Sequence, residues 1–328
     1  MRKSQKAVNY LKFQKEDKLK VILGIEPGQK FLLDEIQKHM KPHGLIFSAP
    51  AFLETPSVFR KVISKGIKDY YDFDDLIILD SGAWMIAKRK LSIKPDDVLS
   101  LALQLQPDIF VTLDVTGNPP DEKKSFENFK YMYKKINIPM IPVIHKPTQE
   151  EVFKWYLDYD FEVFGHGGYT PEATSDTLQL TLDLKYMHEL MKKYTFEKIV
   201  HIFGIAEPKM INSLKYLGDW VDSVNWKITG YLGDVWCPHC LEKVHVSSVK
   251  TQDNRSFENS SSQCVESIQK FSEQLGYDLS QLRFGDKGWI YRSVFNAILL
   301  YHTDIVDQEK CKLFDQDIKK WTLIDYIE

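Results

Sequence analysis

Short apolar runs punctuate the chain at a regular interval. They are Lys20–Pro27 (KVILGIEP), Gly44–Phe52 (GLIFSAPAF), Leu76–Asp80 (LIILD), Ile109–Asp114 (IFVTLD), Pro139–His145 (PMIPVIH), Phe161–His166 (FEVFGH), Ile199–Ile205 (IVHIFGI) and Val221–Trp226 (VDSVNW). Most are rich in Val, Ile, Leu and Phe with little apolar–polar alternation, the pattern of parallel strands buried on both faces. Helical stretches lie between them at Lys94–Leu105, Glu122–Lys135, Thr148–Asp158, Thr177–Lys193 and Pro208–Leu217, and Pro147-Thr148-Gln149-Glu150 supplies a helix-start signal. Eight runs spaced by roughly 30 residues, about one βα unit, predict an α/β fold of the (β/α)8 TIM-barrel type. A doubly wound open sheet is the competing architecture, disfavoured because no G-x-G-x-x-G follows any run.

After Trp236 the texture changes. Ser247–Gln263 is polar and reads as a loop, while Cys264–Leu275 and Trp289–His302 read as helices. The expected organisation is a basic segment 1–19, a barrel 20–236, and a C-terminal helical and loop extension 237–328 packed on it. No internal repeat is visible.

Composition adds little to the fold and something to the function. The chain has 328 residues, 43% hydrophobic and 27% charged, as in ordinary globular proteins. Its net charge of −3 does not announce a nucleic-acid binder. The first twenty residues nevertheless hold seven basic side chains (Arg2, Lys3, Lys6, Lys12, Lys15, Lys18, Lys20), which suit phosphate as well as they suit water. No run approaches the roughly 18 apolar residues of a membrane span, and no signal-peptide h-region follows the N-terminal charges. Four cysteines do not make a disulfide framework, so a reducing, cytoplasmic location is expected (the host's, if the chain is phage-encoded).

In a barrel the working face is where the strands end. Several runs end in polar residues followed by turns: Asp80-Ser81-Gly82, Asp114-Val115-Thr116-Gly117, His145, and Gly165-His166-Gly167-Gly168. One such Asp alone reads as a helix N-cap or Asx-turn. Two Asp, a His and a double glycine on successive strand ends point to a site.

These residues resemble the tRNA-guanine transglycosylases and their DNA-acting relatives. The resemblance rests on five ordered motifs between Leu45 and Trp226: Leu79-Asp80-Ser81-Gly82-Ala83-Trp84, Leu113-Asp114, Gly165-His166-Gly167-Gly168, His201-Ile202-Phe203-Gly204-Ile205 with Pro208, and Val221-Asp222-Ser223-Val224. It implies base exchange through an oxocarbenium-like state, with a carboxylate trapping C1′ as in retaining glycosidases. By the same resemblance Asp222 is the nucleophile and Asp80 the general acid/base. Asp114 accepts from the N1–H and exocyclic amine of a guanine-like edge. Gly167 and Gly168 let backbone approach the base, Trp84 and Phe203 sandwich it, and Ser81 and His145 are further contacts. His145 stands where the family often has glutamine. Asp222 lies near the start of the run Val221–Trp226; a strand over Asp219–Ser223 would instead bring it to the mouth.

Cys237-Pro-His-Cys240 and Cys264 form a candidate structural zinc site, with His245, His302 or Cys311 as fourth ligand. The family's zinc has three Cys and one His, in a different spacing. The alternative is reduced thiols packed as small apolar groups. No organic cofactor is implied.

Two departures concern the substrate. Ala83 replaces the second glycine of the Asp-Ser-Gly-Gly motif, and Asn225-Trp226-Lys227-Ile228 stands where tRNA enzymes carry Pro-Thr-Arg. The chain is also shorter than the usual tRNA enzyme and shows no appended RNA-binding domain. These features lean toward the branch that inserts a 7-deazaguanine of the preQ0 type into DNA, and Asp222, Ser223 and Trp226 give the expected Asp-Ser-x-x-Trp. The expected partners are DNA and a free 7-deazaguanine base, no membrane, and a second copy in a homodimer. The alternatives are a tRNA-guanine transglycosylase of queuosine or archaeosine type, a non-catalytic nucleic-acid-binding barrel subunit, and an unrelated barrel hydrolase. The last has no G-x-S-x-G or H-E-x-x-H to support it.

Overall fold

A computed structural model describes residues 19–168, 177–205, 207–214, 217–247, 257, 260–285 and 287–301. Most of the basic segment, together with His302 and Cys311, lies outside the described residues.

The apolar runs form nine short strands: β1 (Lys20–Gly24), β2 (Gly44–Ser48), β3 (Leu76–Asp80), β4 (Ile109–Val111), β5 (Met140–Ile141), β6 (Val143–His145), β7 (Val163–Gly167), β8 (Ile199–Ile202) and β9 (Trp220–Ser223). Every pair is parallel, in the order β5-β4-β3-β2-β1-β9-β8-β7-β6. β5 and β6 are two halves of one run parted by Pro142, which has no N–H to give to a ladder. The Pro142 carbonyl still accepts from Gly165 N–H at 2.8 Å. Counted as one strand, the halves close an eight-position ring, with β1 joined to β9. The (β/α)8 expectation therefore holds, and the open-sheet alternative does not.

Alternation divides the strand residues between two cores, because successive side chains point to opposite faces. Ile22, Ile46, Ile78, Ile109, Val111, Ile141, Val143, Val163, Ile199 and Trp220 fill the barrel interior. Their neighbours Val21, Leu23, Leu45, Phe47, Ile77, Leu79, Phe110, Phe164, Val200 and Val221 face the helices. The runs read as unbroken apolar stretches because both faces are covered.

Several strands are shorter than their runs. The run Gly44–Phe52 stops at Ser48, since Pro50 sits in the first turn of the helix Ala49–Glu54, where a missing N–H leaves no hydrogen bond unmade. The last run divides between β9 and the helix Asn225–Tyr231, which buries Trp226. The alternative register thus describes β9: Asp222 lies one residue from its C-terminal end.

The chain beyond the barrel is tied into it. An antiparallel hairpin, β10 (Asp234–Trp236) with β11 (Lys243–His245), straddles the expected boundary at 236. The helix Gly288–Tyr301 lies against Asn225–Tyr231. Arg292 Nε donates to Gly230 O at 2.8 Å, Ser293 Oγ to Lys227 O at 3.3 Å and Asn296 Nδ2 to Trp226 O at 3.3 Å. All three acceptors are backbone carbonyls of Asn225–Tyr231, so the later helix is bonded to the main chain of the earlier one. Tyr301 OH reaches Val21 O at 2.6 Å, fastening the same helix to β1. No helix among the described residues is long and apolar enough to cross a membrane.

Candidate active site

Following the inward alternation to the C-terminal ends of the strands, the apolar filling gives way to a polar layer. Ser48, Asp80, His145, Gly167, His201 and Asp222 continue the rows that begin with Ile46, Ile78, Val143, Gly165, Ile199 and Trp220. Six strand ends thus each send one side chain or backbone position to the mouth.

Asp222 is held from β8. Its Oδ1 faces His201 Nε2 at 2.8 Å and accepts the Gly204 N–H at 3.2 Å. Among the described residues its Oδ2 has no hydrogen bond. The His201 ring is fully buried and stacks on Phe203 with centroids 4.3 Å apart and 20° between planes. Phe203 in turn lies against the open face of Gly165, where an added Cβ would stand 2.6 Å from the ring. Glycine at 165 makes room for that aromatic inside the barrel.

Asp80 accepts the Gly82 N–H on Oδ2 at 3.0 Å, across a turn in which Gly82 adopts φ +76°. A Cβ on Gly82 would meet Pro50 at 2.4 Å, so glycine is required there on two grounds. Burial pushes the Asp80 carboxyl up to about 8; Asp114 and Asp222 push it the same way, and the Gly82 N–H only partly opposes them. At neutral pH Asp80 is mostly protonated.

Asp114 lies beyond the end of β4 and is buried. Ser81 Oγ donates to its Oδ1 at 3.3 Å, and His145 Nε2 stands 2.8 Å from its Oδ2. The other side of the His145 ring meets Glu122: Nδ1 is 3.0 Å from Oε1, which also accepts the His145 backbone N–H at 2.8 Å. Burial pulls the imidazole down, but the bonds to Asp114 and Glu122 outweigh it and raise His145 to about 9. His145, expected from the sequence as a contact to the base, has both ring nitrogens engaged by carboxylates.

The glycine loop divides in orientation. Gly167 faces inward, with His145 Cδ2 3.2 Å from its would-be Cβ, and Gly168 follows at φ +90° beside Lys146. His166 points outward into the helical layer, where Nε2 lies 2.9 Å from Asp183 and 2.8 Å from Thr148 Oγ1. Burial raises Asp183, but bonding to His166 and Thr148 prevails and leaves it lowered. That cluster fastens β7 to its helix and does not face the mouth. Trp84 opens the helix Ala83–Arg89 just after Asp80; it is 48% exposed, with Lys88 Nζ 4.4 Å above its ring.

Glu122 and His201 had no role in the sequence reading. His201 was visible as the polar residue in an apolar strand, on the parity of Ile199. Glu122 carried no local signal beyond a helix start capped by Asp121, whose side chain accepts from Lys124 N–H.

Away from the mouth, Cys237, Cys240 and Cys264 place their sulfurs within 4.8 Å of one another. Cys240 and Cys264 are 3.7 Å apart. Tetrahedral zinc with Zn–S near 2.3 Å has S···S edges of about 3.8 Å, so the thiols fit three corners of such a site. The hydrogen bond with Cys240, and burial, push the Cys237 thiol up; the same bond draws Cys240 down to about 5. His245 stands apart from the three, its Nδ1 2.7 Å from Asp234. The other two candidates for a fourth ligand, His302 and Cys311, lie outside the described residues.

No family model matches the chain. It is similar to the tRNA-guanine(15) transglycosylase of Methanococcus aeolicus, with 20% identity over 231 residues, covering 62% of this chain and 34% of that protein. The chain thus spans about a third of the length of the curated relative it matches.

Proposed function

We propose that this chain exchanges a guanine in a nucleic acid for a 7-deazaguanine-type base, through a covalent intermediate on Asp222. The observation that carries the reading is a pair of carboxyls at one barrel mouth with different equipment. Asp80 holds a proton up to about pH 8, while Asp222 is braced on one oxygen by His201 and Gly204 and, among the described residues, has the other without a bond. Environments that split two carboxyls in this way divide acid from nucleophile.

In the first half-reaction Asp222 Oδ2 bonds to C1′ as the C1′–N bond breaks. The electron pair leaves with the base, and the Asp80 proton neutralises it. In the second, ionised Asp80 takes a proton from the incoming base, whose ring nitrogen bonds to C1′ and releases Asp222. Asp114 reads the base edge, assisted by Ser81, with His145 behind Asp114 and the backbone of Gly167 and Gly168 close to the base. Trp84 offers an exposed ring at the mouth, and Phe203 a ring braced by His201; together they would enclose the base.

DNA is the preferred nucleic acid. The support is the segment Asn225-Trp226-Lys227-Ile228 in place of Pro-Thr-Arg, with Trp226 Nε1 donating to Ser223 O at 3.1 Å next to Asp222. The name of the Methanococcus relative supports tRNA as the second reading. Zinc on Cys237, Cys240 and Cys264, where it would brace the hairpin against the helix Ser262–Gln274, completes the proposal. Unbonded thiols at this separation suit a reducing, cytoplasmic compartment.

The test is incubation with labelled guanine or 7-deazaguanine and either duplex DNA or tRNA. Incorporation into DNA is expected; incorporation into tRNA alone would move the substrate, and incorporation into neither would end the proposal. A denaturant-stable protein–nucleic acid adduct should form in the wild type and be absent from Asp222→Ala. An adduct that survives that substitution removes Asp222 from its role.

A further inference from the structure

The ring of His145 lies between two carboxylates. Nε2 stands 2.8 Å from Asp114 Oδ2 and Nδ1 3.0 Å from Glu122 Oε1. Neutral imidazole has one N–H, so only the doubly protonated ring bonds to both. Glu122 Oε1 also takes the His145 backbone N–H at 2.8 Å and so fixes the end of β6 along with the ring. Among the described residues its second oxygen, Oε2, is buried without a hydrogen-bond partner. A carboxylate kept in such a place is a costly way to hold a strand end, and a neutral acceptor would serve that purpose alone.

The consequence falls on Asp114. Ser81 on Oδ1 and the His145 ring on Oδ2 leave each oxygen one further lone pair, and together they fix the plane in which those lone pairs lie. A planar base edge with two adjacent donors needs that plane set in advance, since a rotating carboxylate would lose one of the two bonds. We infer that Glu122 is a positioning residue for base selection: through His145 it orients Asp114 to receive a two-donor edge, and thereby separates guanine-type bases from analogues lacking the exocyclic amine. The inference rests on the base-exchange reading and deepens it.

The groups facing the ring are Asp114 beyond β4, Glu122 at the start of the helix Glu122–Tyr133, and Gly167 of β7, whose would-be Cβ lies 3.2 Å from Cδ2. Tyr156, buried nearby, is pushed up by burial and by the charges of Glu122 and Asp114, so it stays a neutral phenol.

The experiment compares wild type, Glu122→Ala and Glu122→Gln for exchange of guanine against hypoxanthine, with nitrogen NMR of the His145 ring at pH 7. Wild type should favour guanine and show both ring nitrogens protonated. Glu122→Ala should raise KM for guanine by about tenfold or more, bring the guanine-to-hypoxanthine ratio close to one, change kcat little, and lose one ring proton. Glu122→Gln, which keeps an acceptor for both N–H groups, should recover most of the ratio; it also supplies the comparison if the alanine variant fails to fold.

A wild-type ratio in Glu122→Ala, or in both variants a loss of thermal stability with that ratio unchanged, overturns the inference and leaves base exchange standing. A neutral His145 in the wild type also overturns it. Wild type that exchanges neither base in DNA or tRNA overturns the base-exchange reading, and base selection with it. The NMR arm then decides the clamp by itself: a ring proton lost in the variant upholds it, and an unchanged ring refutes it.

Discussion

Replacing Asp80 by Asn should stabilise the fold while abolishing exchange. Asp80 ionises near 8 in the folded chain against 3.8 for the ordinary side chain. The folded state therefore binds the Asp80 proton more tightly, and stability from this site falls as pH rises from about 4 to about 8. Each power of ten in proton affinity is worth about 1.4 kcal/mol. The gap is roughly four powers of ten, a ceiling on the order of 5 kcal/mol above pH 8. Asp80 is only half-buried at the mouth, so water and relaxation reduce the gain to about 1–3 kcal/mol at pH 7–8. Asn is isosteric and can keep the acceptor for the Gly82 N–H, now 3.0 Å from Asp80 Oδ2. The assay is urea unfolding of both proteins at pH 4, 6 and 8. The gain should be largest at pH 8 and fall to a few tenths of a kcal/mol near pH 4, where Asp80 is protonated in the folded state and about half protonated in the unfolded one. A variant no more stable than wild type at pH 8, or a gain as large at pH 4 as at pH 8, would refute the reasoning.

Two other outcomes follow from the geometry. His201→Ala removes the 2.8 Å bond to Asp222 Oδ1, and a hydrogen bond to a charged group is worth about 1.5–3 kcal/mol. Adduct formation in a single turnover should slow by roughly tenfold to a hundredfold, with KM for the base little changed; an unaltered rate would show that Gly204 alone holds the nucleophile. Purified protein should contain about one zinc per chain, lost with a fall in Tm on chelation or in Cys264→Ser; metal-free wild type with an unchanged Tm would leave the thiols as packing groups.

The strands were legible because a barrel buries both faces of each one, so eight unalternating runs stood out without any tertiary information. Their ends were not, because apolar composition does not register the loss of a ladder partner. Pro142 splits one run, Pro50 turns the end of another into a helix, and Trp226 belongs to the helix after β9. Asp80 and Asp114 are conspicuous as charged residues that end apolar runs, whereas Asp222, after only Trp220 and Val221, stands out through the family resemblance. Orientation was beyond the sequence: His166 and Gly167 are adjacent, yet one faces the helices and the other the interior, a difference fixed by the parity of β7. Glu122 was invisible for a different reason. It meets His145 across 23 positions of chain, and nothing near it in sequence indicates that meeting.

β9 is the last barrel strand to be made, and it pairs with the first, β1. The helix that follows it rests on Gly288–Tyr301, later still in the chain. Asp222 therefore reaches Asp80 and Asp114 only when the ring shuts, once β9, the last barrel strand in chain order, has been made. A nascent or truncated product lacking the closing strand carries Asp80 and Asp114 but not Asp222, the nucleophile of the proposal. Synthesis from the N-terminus thus delivers the carboxylate proposed as nucleophile after the other two aspartates of the mouth.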